Sequence, residues 1–319
     1  MFISKQIHNH LLSSNKIVIV PHQNPDGDAA GSASAMAEYL RELGKEPVIF
    51  CLTPAQEHLH FLPHISAINS NPSLFIDKNI ESIIVLDSGD LRYAGIHKHI
   101  ANHQAQIINI DHHATNEKYG HMNLVDITAS STAEIIFQYF KNINIRLTRN
   151  LSTSLLTGLL TDTGNFTNSA SSIKAIVIAG ELLRSGANLT LINKKTVKNI
   201  SLEFLKLLGV VLSRLVNNKD MDIAYTYLKK SDYKEQGLTE NSVEGIANFL
   251  LKLDEAGVSL FLRETDDDKI KGSFRTTRDF IDVSALAKKF GGGGHKKAAG
   301  FTTNGTVEEV LEKILTNEK

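Results

Sequence analysis

The chain has 319 residues, 42% hydrophobic and 22% charged, with a formal net charge of −1. That composition excludes a disordered or fibrous protein, and the length exceeds one ordinary core, so two domains of roughly 150 residues each are expected. The near-zero charge excludes attraction of a polyanion by the field of the whole molecule, and any such partner must meet a local basic patch.

The N-terminal stretch MFISKQIHNHLL has neither a basic n-region nor a long apolar core, and no apolar run approaches the roughly 20 residues of a membrane span. The expected address is therefore the cytoplasm, without a membrane. A β-branched run over 16–20 (KIVIV) is followed by a helical pattern through ASAMAEYLREL, then by short apolar runs at PVIFC, at 82–87 (SIIVLD) and at 106–111, ending in IINID. Such alternation is the mark of a parallel sheet covered by helices on both faces. Cys51 closes one of these runs and reads as a buried thiol on a strand; as the single cysteine it excludes a disulfide framework. Helices follow. Ser131-x-x-Glu134 reads as a capping box, and apolar helical spacing continues through LSTSLLTGLLTDTG, IKAIVIAGELLRSG and, over 201–218, SLEFLKLLGVVLSRLVNN.

Beyond Asp220 the texture changes to the strands DIAYTYL, VSLFLRET and KIKGSFRTT, with helices at VEGIANFLLKL, VSALAKKF and TVEEVLEKIL. The fold class expected is α/β: an N-terminal parallel-sheet domain over 1–190 with helices on both faces, a helical connector over 191–219, and a smaller mixed α/β domain over 220–319. The run Asp266-Asp267-Asp268 between two strands reads as a solvated turn.

Open parallel sheets bind ligands beyond the carboxyl ends of their strands. The first run leads into His22, Asp26 and Asp28, on a loop rich in Pro and Gly; the run at 82 leads into Asp87; the run at 106 leads into Asp111, His112 and His113. An aspartate after a strand is commonly a turn former or an N-cap. Coincidence at three strand ends favours a cation instead, because crowded buried carboxylates need one. Mixed carboxylate and imidazole donors without thiolate suit Mn²⁺, Mg²⁺, Fe²⁺ or Co²⁺. Six or more donors exceed the demand of one ion, so two ions roughly 3.5–4 Å apart sharing a carboxylate are expected, and such pairs serve phosphoryl hydrolysis. The histidine groups His58, His60, His64 and His97, His99, His103 adjoin no strand end carrying carboxylates and read as solvated helix or loop positions.

HQNPDGDAAGS, VLDSGD, NIDHHATN and GLLTDTGNF resemble, in order, the four motifs of the DHH phosphoesterase superfamily, and GSFRTTRDFIDVSALAKKFGGGGHKKAAGF resembles its companion DHHA1 domain. The resemblance covers nearly the whole chain and is nearest to the branch of nanoRNases and pAp phosphatases. It implies that His22, Asp26 and Asp87 hold one metal and that Asp28, Asp87, His112 and Asp162 hold the other, with Asp87 as the bridge. From the residues alone, Asp162 reads equally well as a helix end capped at Gly164. The resemblance further implies that Asp111 orients a neighbouring imidazole and that His113 contacts the substrate phosphate or assists the leaving oxygen. Two divalent ions are the cofactors implied, manganese first, with magnesium or cobalt as alternatives.

Between Lys269 and Lys297 stand eight Lys or Arg against two Asp. Such a cationic segment suits a polyanion, and Gly291–Gly294 read as a backbone nest for phosphate. Arg275, with Ser273 beside it, is the candidate bidentate phosphate clamp, and Arg278 a further candidate. The family pattern adds Gly293, Gly294 and His295 as a grip on the substrate end remote from the metals. Phe166 offers either a stacking face to a base or a packed ring. The reading is an enzyme that hydrolyses short single-stranded RNA to mononucleotides and dephosphorylates nucleotide 3′,5′-bisphosphates, with a homodimer left open. Its rivals are a cyclic- or linear-dinucleotide phosphodiesterase and a nucleotide-binding regulatory module without turnover.

Overall fold

A computed structural model describes residues 2–196, 201–239, 243, 245–250, 253 and 255–316. The chain divides into two compact units, Met1–Asn199 and Ile200–Lys319. The expected connector over 191–219 includes 197–200, which lie outside the described residues.

In the first unit the order is α1 (Phe2–Ser13), β1 (Ile17–Pro21), α2 (Gly27–Glu42), β2 (Val48–Ile49), β3 (Ser82–Leu86), β4 (Gln106–Asp111), β5 (Met122–Val125), α3 (Thr132–Asn142), α4 (Arg149–Asp162), α5 (Ile173–Arg184) and α6 (Leu189–Thr196). The five strands form one sheet in the order β2-β1-β3-β4-β5, and every pair is parallel. Alternation along the strands sorts side chains to two faces. Ile17, Ile19, Ile84, Leu86, Ile108 and Ile110 enter the large core built with the helices. Val18, Val20, Ile83 and Val85 enter a second core with Phe50, Phe75, Ile96 and Ile100. That second face is closed by the 3-10 helix Pro72–Ile76 and by turns between 88 and 103. Turn formers such as Gly89, Asp90 and Gly95 interrupt that stretch too often for a long helix.

The apolar run ending at Cys51 yields only the two-residue β2, extended by a bridge from Phe50 to Asn69. Helices α2 and α4 cross at glycines. A Cβ on Gly31 would lie 2.5 Å from the Ser154 carbonyl oxygen, and one on Gly158 would lie 2.5 Å from Asp28 Oδ1. Gly158 thereby leaves the room that the Asp28 carboxylate occupies.

The second unit runs α7 (Leu202–Ser213), β6 (Val216–Asn218), β7 (Ile223–Leu228), α8 (Lys230–Glu235), α9 (Gly245–Phe249), β8 (Val258–Glu264), β9 (Ile270–Arg275), α10 (Val283–Lys288), β10 (Gly293–His295), β11 (Ala298–Thr303) and α11 (Val307–Thr316). Its six-stranded sheet has the order β10-β11-β9-β8-β7-β6, mixed because β7 and β8 are parallel. The helix expected over 201–218 stops at Ser213, and Val216–Asn218 instead pairs as an edge strand with β7. Beyond the helix the apolar spacing gives way to Asn217-Asn218, a pair better suited to a turn and edge than to a helix interior. The expected helix over 243–253 is described as the short α9; 244, 251 and 252 lie outside the described residues.

The Gly-rich stretch is a hairpin rather than a loose loop. Strands β10 and β11 pair through Gly293–Gly300, Gly294–Ala299 and His295–Ala298, with Lys296 and Lys297 as the turn. Gly292 and Gly294 are required by packing: a Cβ there would lie 2.1 Å from the Gly300 oxygen and 2.6 Å from the Ala298 oxygen, respectively. The acidic run 266–268 is an exposed turn as expected, and Asp266 and Asp268 pair there with Lys234 and Lys230 of α8.

Candidate active site

Sheet register builds the first half of the site. Pro21 pairs with Leu86 and Leu86 with Ile110, so the residues that follow, His22, Asp87 and Asp111, leave three neighbouring strands side by side. Strand order reverses between β1 and β3, the place where open sheets part their loops and admit ligands. Asp26 then caps α2, its Oδ1 accepting from the amides of Asp28 and Ala29 at 3.0 Å each. Asp28, the second residue of α2, is fully buried.

Among the described residues, three sets of side chains bring ligand atoms within 4.8 Å of one another: His22 with Asp26 and Asp87; Asp28 with His112 and Asp162; Asp87 with His112 and His113. Asp87 reaches in two directions. Its Oδ2 lies 3.6 Å from His22 Nε2, and its Oδ1 lies 3.6 Å from His112 Nε2. Asp162, the last residue of α4, completes the second set with Oδ2 at 3.4 Å from His112 Nε2. Asp87 also holds a left-handed backbone, φ 57°, a conformation that costs free energy in a non-glycine residue and recurs at functional sites.

The donors fit divalent cations. His22 Nδ1 is bound to the Gln23 carbonyl at 2.7 Å and His112 Nδ1 to the Ala129 carbonyl at 3.3 Å. In each ring this leaves Nε2 as the free donor, turned to the carboxylates. Burial, then the neighbouring Asp87, Asp162 and Asp26, pushes the Asp28 carboxyl well above the usual carboxylate range. Asp87 is raised to about 6, chiefly by burial and then by Asp26, and burial raises Asp162 as well. Two buried carboxyls and a half-buried one that resist ionising together need a positive charge among them. Burial opposes ionisation at His22 and Asp26 too, but their mutual contact and nearby backbone groups outweigh it, raising the histidine and lowering the aspartate.

Asp111 makes no part of these sets. Its Oδ1 accepts from His113 Nδ1 at 2.8 Å and its Oδ2 from Asn116 Nδ2 at 2.6 Å. The bond to Asp111 is the main cause of a His113 pKa raised to about 9, which favours the charged imidazole. Several further residues shape the site without a sequence signal: Tyr93 stacks on His22 at 4.8 Å between centroids, and Thr132 Oγ1 donates to Asp87 Oδ1 at 2.9 Å. The expected capping box forms only by half. Ser131 Oγ accepts from the Glu134 amide, but the Glu134 carboxylate turns to Ser130 and to Lys174. Phe166 packs against the large core. His64 pairs with Glu38, and His97 Nδ1 is buried without a partner, so neither is simply solvated.

In the second unit, alternation along β9 turns Ile270, Gly272 and Phe274 inward and Lys271, Ser273 and Arg275 to the other face. There Ser273 and Arg275 line a cavity of about 260 Å³ with Lys271, Arg263, Phe261 and Ala247. Register extends this face: Ser273 pairs with Gly300 and Gly300 with Gly293, while Arg275 pairs with Ala298 and Ala298 with His295. Paired residues of neighbouring strands share a face, so Gly293 and His295 stand in line with Ser273 and Arg275 across a floor of Gly and Ala. A Cβ on Gly293 would meet nothing within 4 Å. Gly294 falls on the opposite face, and Arg278 lies past the strand end, its amide bound to Thr276 Oγ1. No single helix among the described residues is long and apolar enough to cross a membrane.

The DHH family N-terminal domain matches residues 16–160 and the DHHA1 domain residues 209–317. The chain is 30% identical over 301 residues to the bifunctional oligoribonuclease and PAP phosphatase of Thermus thermophilus, covering 94% of this chain and 88% of that protein. It is 27% identical over 288 residues to the protein of the same name from Bacillus subtilis, covering 89% and 88%. The crystal structure of an exopolyphosphatase-related protein from Bacteroides fragilis superposes with a TM-score of 0.87 at 29% identity, over 99% of this chain and 96% of that one. Strand-end carboxylates, paired histidines and a Gly-rich segment with a local excess of Lys and Arg thus occur here in one chain because it belongs to the DHH phosphoesterase family.

Proposed function

We propose that the chain is a dimetal phosphoesterase that hydrolyses short single-stranded oligoribonucleotides to mononucleotides and removes a phosphate from nucleotide 3′,5′-bisphosphates. The observation that carries the reading is the two-way reach of Asp87 between the His22 and Asp26 set and the His112 and Asp162 set. The names of the Thermus and Bacillus relatives supply the substrate class.

When bound, two divalent ions, manganese first among them, lower the pKa of water and neutralise charge on the phosphoryl group. The chain's own residues do the rest. His22 and His112 are held in one tautomer by main-chain carbonyls, which keeps Nε2 basic and aimed. His113, whose bond to Asp111 favours the imidazolium, offers an Nε2–H to a phosphate oxygen or to the departing oxygen. In the second unit Arg275, Lys271, Ser273, Gly293 and His295 form the face that holds a second phosphate or the substrate end. The location that goes with this reading is the cytoplasm.

The test is incubation of the pure protein with Mn²⁺ and labelled oligoribonucleotides from two to about twenty nucleotides, the range of single-strand site sizes. Release of mononucleotides should be fastest on the shortest species and should extend to adenosine 3′,5′-bisphosphate. Binding without turnover, or hydrolysis confined to cyclic dinucleotides, would replace this reading.

A further inference from the structure

Thr132 is the first residue of α3, fully buried, and its two polar groups go to two different carboxylates. The hydroxyl donates to Asp87 Oδ1 at 2.9 Å, while the main-chain N–H donates to Asp28 Oδ2 at 2.6 Å; the next amide, that of Ala133, donates to Asp28 Oδ1 at 2.9 Å. One helix start therefore grips a carboxylate from each of two ligand sets, with the positive end of the helix dipole behind it. The main-chain bonds would persist with any residue. The hydroxyl would not.

Asp87 has to keep one oxygen toward His22 and the other toward His112, yet a carboxylate turns freely about its last bond. With both oxygens swung toward His22 and Asp26, it would serve one set and abandon the other. A hydroxyl fixed on a helix terminus and aimed at Oδ1 opposes that swing, and it occupies one lone pair while leaving the other for an ion. A neutral donor also leaves the negative charge in place, where a Lys or Arg would cancel it. We propose that Thr132 is a positioning residue that holds the Asp87 carboxylate across the two sets, so that its hydroxyl sets the affinity for the second ion. This rests on the dimetal reading above.

Thr132→Val keeps the shape and removes the hydroxyl; Thr132→Ser keeps the hydroxyl and removes the methyl. Calorimetric titration of metal-free protein with Mn²⁺ gives the number and affinity of ions, and electron paramagnetic resonance shows whether the two ions are coupled through a shared ligand. The valine variant should bind the first ion nearly as wild type does, bind the second about 10–100-fold more weakly, as when a group orienting a ligand is lost, and lose the coupled signal at two equivalents. The serine variant should keep affinity and coupling. If valine does not fold, Thr132→Ala, which adds no bulk, reads the same loss. Wild-type affinities and coupling in the valine variant, or equal loss in valine and serine, would overturn the role of the hydroxyl. Failure of the wild type to bind two ions would instead overturn the dimetal reading.

Discussion

Asp87→Asn is expected to abolish turnover while making the metal-free protein more stable. The loss of activity follows from geometry: an amide in place of the shared carboxylate removes the charge that serves both sets, and a fall of about 10³-fold or more in kcat is expected from losing so central an electrostatic contributor. The gain in stability follows from burial. In the folded chain the Asp87 carboxyl is raised to about 6, mainly by burial, against about 3.9 when unfolded. Below about pH 4 it is protonated in both states and costs nothing. Between about pH 4 and pH 6 the unfolded carboxyl ionises while the buried one resists, and above that window the metal-free protein has lost about 3 kcal/mol that the amide does not lose. In chelator at pH 8 the variant should therefore melt several degrees above wild type, and at pH 4.5 the gap should shrink to about a third. With Mn²⁺ at pH 8 the order should invert, because only wild type is stabilised by the ions. Thermal melts under these three conditions check the prediction, and a variant less stable than wild type in chelator at pH 8 would refute it.

The second large effect is expected at Arg275. Its cavity of about 260 Å³ is lined by three cations, Arg263, Lys271 and Arg275, with Ser273 among them. Burial lowers the Arg275 pKa without discharging a guanidinium, and Nη1 is steadied by donating to the Phe274 carbonyl at 3.0 Å. Truncating one member of a buried charge-assisted contact costs about 2–5 kcal/mol, which corresponds to at least a 30-fold rise in KM for di- to tetranucleotides. The metals are held by the first unit, so kcat at saturation should change far less. Arg275→Lys should not restore affinity, since an ammonium lacks the planar two-point geometry. Steady-state kinetics on a short labelled oligonucleotide separates the two parameters; an equal fall in kcat with KM unchanged would remove Arg275 from substrate binding.

Much of the first unit was legible because parallel strands carry their chemistry at one end. His22, Asp87 and Asp111 each follow a β-branched run, and register alone brings them into one row. Asp162 was not legible from its surroundings: a carboxylate at the end of a helix has an ordinary explanation, and only the family pattern singled it out. Main-chain partners leave no residue signature at all, so the Gln23 and Ala129 carbonyls and the amides of α3 were invisible in the sequence. Thr132 looked like any helix-start threonine. In the second unit, glycines masked the strands. Gly291–Gly294 suggested a nest, yet Gly292 and Gly294 are there because strands pack too closely for a Cβ, and only Gly293, open on the face shared with Arg275, keeps the reading of a residue left bare for a ligand. The helix over 201–218 was overdrawn because apolar residues run on to Val216, past the helix end at Ser213 and into the edge strand.

The most direct test of the account is a crystal of the wild-type protein grown with Mn²⁺ and measured at the manganese absorption edge. Two anomalous peaks roughly 3.5–4 Å apart, one beside His22 and Asp26, the other beside Asp28, His112 and Asp162, with an Asp87 oxygen on each, are the predicted result. A single peak, or two peaks with Asp87 turned wholly to one of them, would contradict it.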